Sequence, residues 1–136
     1  MTALTVNAET ARKDGELIAY LVAAATHIYK GTLVCLNASG YAVPAADATG
    51  LSFIGIAYEE ADNTSGANGA TLVRVLKSGT YFLCKSSAVQ GDVGKLVCVV
   101  DDATVAADTT NDIPVGYVVE VPDANHVRVR INREVK

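Results

Sequence analysis

Few residues in this chain have the means to do chemistry. Cys35, Cys84 and Cys98 could supply a thiol nucleophile and His27 and His126 a base. Carboxylates stand together at Glu59, Glu60 and Asp62, at Asp101 and Asp102, and at Asp108 and Asp112. A nucleophile is weak until a base sits beside it, and no Gly-x-Ser-x-Gly elbow or other local signature ties a cysteine or serine to either histidine. His126 falls in a predicted hairpin loop. The cysteines are widely spaced in apolar strings such as Val34-Cys35-Leu36 and Val97-Cys98-Val99, which makes them reduced core residues. No catalytic residue is expected, and the chain is not read as an enzyme.

Metals and cofactors fare no better. Zinc sites place pairs of Cys or His two to four residues apart, and this chain has no such pair. The acidic groups follow no calcium-loop spacing and fit solvated turns and strand ends. The segment Gly91-Asp92-Val93-Gly94-Lys95 resembles a phosphate loop only in part. A Walker A loop has four residues between its glycines and a Ser or Thr after its lysine, whereas two intervene here and Leu96 follows. It is a Gly-punctuated turn feeding a strand. Asn63-Thr64-Ser65 matches a glycosylation sequon, a coincidence without a secretion signal.

The net charge of -4 over 136 residues argues against nucleic acid as the main partner, because phosphate binding needs a concentrated cationic surface. One local exception is the run His126, Arg128 and Arg130, on one face of a predicted strand with Arg133 nearby. It could dock on an acidic partner. Alternatively it is the solvated face of an edge strand whose charges discourage aggregation, and this is the favoured reading. The N-terminus lacks a basic region followed by an apolar one, and the longest apolar run, Leu17 to Ala25, is about half the roughly 20 residues needed to cross a bilayer. No membrane partner is expected, and synthesis is expected in the cytoplasm.

The elements that would position these residues are short strands. A chain of this length is a usual size for one domain and buries roughly 70% of its unfolded surface. Val-rich runs alternate with turn clusters after Gly31, at intervals typical of a sandwich or barrel. Leu33 to Leu36 and Tyr41 to Val43 flank Asn37-Ala38-Ser39-Gly40, a turn in which Gly40 can adopt the left-handed conformation a short hairpin needs. Strands are also expected at Phe53 to Tyr58, Leu72 to Leu76, Tyr81 to Cys84, Leu96 to Val100 and Thr104 to Ala106. Asn63 to Gly69 is a loop too polar to be buried, and Ser86 to Gly94 a short helical turn or loop.

Val115 to Val121 and Val127 to Ile131 form the last hairpin, with its loop at Pro122 to His126. Pairing Val121 with Val127, Val119 with Val129 and Tyr117 with Ile131 keeps one face apolar and sets Glu120 opposite Arg128. The stretch Leu17 to Ile28 stays open between helix and strand, since Leu17, Leu21, Ala24 and Ile28 fit a helical face. Residues 1 to 16 are polar and charged and read as an extended N-terminal arm to a single β-rich domain, 17 to 136. The fold class is therefore all-β: a small closed or nearly closed barrel or sandwich of short antiparallel strands, with its edges hidden.

From Ala23-Ala24-Ala25-Thr26-His27-Ile28-Tyr29-Lys30-Gly31-Thr32-Leu33-Val34 onward the chain resembles the phage capsid cement proteins, a family long listed as a domain of unknown function. The likeness continues through Leu36 to Ala45 and recurs at Phe53-Ile54-Gly55-Ile56-Ala57, Asp62-Asn63-Thr64-Ser65-Gly66, Asp92-Val93-Gly94-Lys95 and Ile113-Pro114-Val115-Gly116. The order of these pieces, more than any one of them, carries the resemblance. It implies a β-rich head-decoration protein on the outer surface of a phage capsid, partnered by the major capsid protein and by its own copies, a trimer being favoured. It also implies that residues 17 to 23 form a strand running into a turn. The family has no catalytic motif to carry over. A recombinase-like label attached to some relatives would require a Walker A loop, which is missing here. The competing class is a small glycan-binding barrel, and stacking on sugars would have to rely on six Tyr and two Phe, there being no Trp.

Overall fold

The structure is a computed structural model that describes Ala3 and residues 5–136; Met1, Thr2 and Leu4 of the expected arm lie outside the described residues. The fold is all-β, with strands β1 (Leu17–Leu21), β2 (Thr26–Ile28), β3 (Leu33–Leu36), β4 (Ala42–Pro44), β5 (Ser52–Ala57) and β6 (Ala61–Asn63) in its first half. β7 (Leu72–Leu76), β8 (Thr80–Cys84), β9 (Leu96–Val99), β10 (Val105–Ala106), β11 (Pro114–Asp123) and β12 (His126–Arg130) follow, with a 3₁₀ turn at Gln90–Asp92. One five-stranded sheet has the order β1-β7-β5-β3-β4, a second β10-β9-β11-β12-β8, and β2 and β6 form a separate ribbon. The ladders are antiparallel.

Alternation along the strands explains how these layers stack. In β3, Leu33 and Cys35 point into the main core while Val34 points the other way; in β5, Phe53 and Ile56 oppose Ile54 and Ala57 in the same manner. The main core joins the first sheet to Val97, Val99, Val115, Val127, Val129 and other residues of the second. The opposite side of the first sheet packs on Ile28 and Ala61 of the ribbon, together with Val22, Val73 and Val75. Backbone bonds stitch the margins of the two sheets, among them Leu33 N–H to the Asp102 carbonyl at 2.8 Å and Lys136 N–H to the Phe53 carbonyl at 3.0 Å. The result is a nearly closed sandwich of short antiparallel strands.

Some expectations are met and others need correction. The stretch Leu17 to Ile28, open between helix and strand, begins with the strand that the family resemblance implies: Leu17–Leu21 pairs with β7, with Leu17 opposite Leu76 and Leu21 opposite Leu72. Ala25, at φ 53°, turns the chain into β2. The ribbon strands β2 and β6 escaped detection because three residues are too few to show a period. Asn63 is buried rather than part of a solvated loop. Its amide donates to the carbonyls of Ala23 (2.8 Å) and Ala67 (2.9 Å) and so holds the loop onto the end of β1.

The β3–β4 hairpin forms as expected, with Gly40 at φ 84°. In the last hairpin Glu120 does face Arg128, but the valine pairs differ: Val118 faces Val129 and Tyr117 faces Arg130, with register shifts on either side of Glu120. An extra residue on β11 at each shift is a β-bulge, which re-aims side chains. Val118 thereby enters the core at 1% exposure and Val119 faces out at 37%. Gly116 permits the close approach here, since a Cβ on it would lie 1.9 Å from the Arg130 carbonyl oxygen. The turn shrinks to Ala124 and Asn125, placing His126 in the strand.

Candidate functional site

The reactive residues are dispersed. Cys35 and Cys98 are buried, and burial pushes the Cys35 thiol up to about 12. Cys84 is not a core residue: Leu83 takes the inward position of β8 and Cys84 the outward one. It faces His126 across the β8–β12 ladder, in a shallow recess of about 220 Å³ with Lys85, Ser86, Thr104 and Asn125. His126 is held from the other side, its Nδ1 2.9 Å from Asp123 and its ring stacked on Phe82 at 4.5 Å. His27 lies on the ribbon, with Nε2 2.7 Å from Glu60 and the ring stacked on Tyr29 at 4.2 Å.

The carboxylates work locally. Glu59 holds Arg74 at 2.7 Å, and the hydrogen bonds and charge of that guanidinium keep its carboxyl below the usual range. Asp62 caps Thr64, Asp101 accepts from the Ala103 N–H at 2.9 Å, and Asp112 accepts from the Thr109 N–H at 2.9 Å. Among the described residues, no three His, Cys, Asp or Glu side chains are placed to share a metal ion. Within the rejected phosphate loop, Asp92 has a structural task. It accepts from the Val89 N–H at 3.0 Å and pairs with Lys85 at 3.0 Å, both side chains largely buried. The Val89 N–H first, and Lys85 second, hold its carboxyl below the ordinary value. The pair is not legible in the sequence, because Lys85 follows the end of β8 and Asp92 closes the 3₁₀ turn, a spacing that matches no local motif.

What the molecule offers a partner is surface. The outward face of the second sheet carries Phe82 (53% exposed), Leu96, Tyr117 and Val119 beside His126, Arg128 and Arg130. β12 is not an edge strand, as the favoured reading of its charges required; it lies between β11 and β8. Its charges therefore guard no free edge. His126 and Arg128 are engaged by Asp123 and by Glu120 (3.2 Å), whereas Arg130 and Arg133 have no carboxylate partner among the described residues. These two arginines border an open groove of about 620 Å³ whose apolar wall is Val93, Tyr117 and Val119. A second apolar patch lies on the β1–β7 pair, where Leu17, Leu21 and Leu72 are 37%, 47% and 55% exposed on the same side. Contiguous exposed apolar surface of this kind marks interaction sites.

No curated protein and no solved structure is matched by the chain. A family model described as phage cement protein matches residues 13–133, nearly the whole of the sandwich described above. Its members are structural rather than catalytic proteins associated with the phage capsid. This agrees with the order of segments from Ala23 to Ile131, and the chain belongs to the phage cement protein family.

Proposed function

We propose that the chain is a decoration protein that binds the outer surface of a phage head and stabilises its lattice. The carrying observation is the family match over residues 13–133. Two separate apolar patches, one on each sheet, support the reading, because a molecule that bridges neighbouring capsomers must engage more than one surface. A ligand that binds only the intact lattice raises its stability by mass action. The partner is the major capsid protein, and the working form is a homo-oligomer, a trimer being favoured. Linked copies hold one another near their sites, so modest contacts per subunit suffice. The protein is made in the host cytoplasm and ends on the virion.

Residues 1–16 act as an arm to the domain formed by 17–136. Among the described residues of this segment none belongs to a strand, and Val6 is 75% exposed. Such a segment orders when it binds. Co-sedimentation of the protein with heads that lack it, with light scattering of the free protein, tests the whole reading. Saturable binding and a raised capsid melting temperature are expected, and the scattering mass gives the oligomer. Absence of binding to cognate heads would remove the proposal. Deleting residues 1–16 should leave the fold intact and weaken head binding.

A further inference from the structure

We propose that the groove on the outer face of the second sheet receives an extended acidic segment of the shell protein, with apolar side chains interleaved among its carboxylates. The inference rests on the capsid-binding reading and specifies its contact. The groove is two-sided in chemistry: Val93, Tyr117 and Val119 form an apolar wall, each more than a third exposed, and Arg130 and Arg133 stand against it. Cross-strand pairing sets Arg130 directly beside Tyr117, so a cation and an aromatic ring face the same space.

Charge identifies the occupant. The chain as a whole carries -4, and the neighbouring side chains of the stripe already have carboxylate partners, Arg128 in Glu120 and His126 in Asp123. Arg130 and Arg133 are left as forked donors whose geometry matches carboxylates two at a time. Two guanidiniums on an acidic protein are too few to track a nucleic-acid backbone, which is held by many phosphate contacts. A purely acidic segment would leave the valines and Tyr117 unused, and a purely apolar one would desolvate the arginines without a partner. A volume of about 620 Å³ is ample for a few residues of extended chain.

The test is head binding by the full-length protein, comparing wild type with Arg130→Glu/Arg133→Glu and Arg130→Lys/Arg133→Lys. Both arginines lie outside the core, and thermal melting checks that each variant folds. The charge reversal should weaken binding at least about tenfold, with the lysine variant between it and wild type. A synthetic peptide of alternating leucine and glutamate should compete with the heads, and its leucine–glutamine counterpart should not. Wild-type binding that the charge reversal leaves unchanged, or equal competition by the two peptides, would overturn the groove while leaving the capsid reading intact. Failure of the wild type to bind heads would instead remove the capsid reading itself. Binding of naked duplex DNA that disappears in the charge-reversed variant would overturn the inference in favour of a nucleic-acid contact.

Discussion

The two five-stranded sheets draw on the same valine-rich vocabulary but meet different surroundings. The first sheet is covered on both sides across β3 and β5, by the second sheet on one face and by the β2–β6 ribbon on the other. Its central strands accordingly read as continuous apolar strings, as in Leu33-Val34-Cys35 and Phe53-Ile54. The second sheet is covered on one face only. β12 alternates strictly, with Val127 and Val129 inward and His126, Arg128 and Arg130 outward. Burial on both faces produces continuous hydrophobic runs, and burial on one produces alternation. The doubly covered sheet is the frame, and the singly covered one presents the surface available to a partner.

One pair of residues puts this division to its hardest test. Phe53 in β5 is 1% exposed and Phe82 in β8 is 53% exposed. Phe53→Ala should cost about 3–5 kcal/mol through lost burial and a residual cavity, and Phe82→Ala less than about 1 kcal/mol. Urea unfolding of both variants measures this. Similar losses would mean that the open face is structural and not reserved for a partner.

A second break comes at Lys85 and Asp92, which tie the end of β8 to the 3₁₀ turn within the second sheet's half of the molecule. Asp92→Asn leaves a buried ammonium without its counter-ion and should destabilise by about 3 kcal/mol, while replacing Lys85 and Asp92 together by Met and Leu should cost less. The folded carboxyl titrates below its ordinary 3.8, so its contribution is complete above that value and is lost as pH falls through the lower, folded one. The wild-type protein should thus lose stability more steeply than Asp92→Asn below about pH 4.

The first sheet carries a group whose charge the fold disfavours. Lys77, just beyond β7, lies over the Tyr20 ring and donates to the Tyr20 hydroxyl at 2.6 Å, and burial lowers its ammonium to about 8 from 10.5. Between those values the folded state binds fewer protons than the unfolded chain, so this group makes stability rise with pH across that window. The cost of keeping the charge half-buried is felt below pH 8. Lys77→Met should abolish the rise, which is on the order of 1 kcal/mol after allowing for partial exposure. Melting at pH 7.5 and at pH 10 compares the two proteins, and parallel profiles would show that the ammonium stays hydrated.

These differences also account for what was legible in the sequence. The all-β class and most strands from Leu33 onward show directly, because Gly and Asn turns punctuate Val-rich runs of four residues or more. Leu17–Leu21 did not, since Leu, Ala and Tyr at those positions satisfy helical and extended periods alike; its ladder with β7 decides the matter through contacts more than 50 residues away in sequence. The register of β11 was legible at Glu120 and Arg128, where opposite charges identify one another. It failed at Val118 and Val119, where two identical side chains leave the bulge without a local mark. The groove was half visible: Arg130 with Arg133 nearby was evident, but the apolar wall comes from Val93 and Tyr117, which only the fold brings beside them.

The smallest effect is the most discriminating for the open face. Glu120 and Arg128 meet at 3.2 Å with side chains 59% and 40% exposed, and an exposed pair of this kind contributes about 0.5 kcal/mol or less. A double-mutant cycle with Glu120→Gln and Arg128→Met should return a coupling of that size, vanishing in 1 M salt. Its worth is in separating the arginines of one stripe. Arg128 already has its carboxylate, so Arg128→Met should leave head binding nearly unchanged, whereas the change at Arg130 and Arg133 is felt. Glu120→Gln frees a third guanidinium beside the groove and, for an acidic occupant, should tighten binding slightly. Were Arg128→Met to weaken head binding as much as loss of Arg130, the whole stripe would act as one cationic surface and the paired and unpaired arginines would have no separate roles.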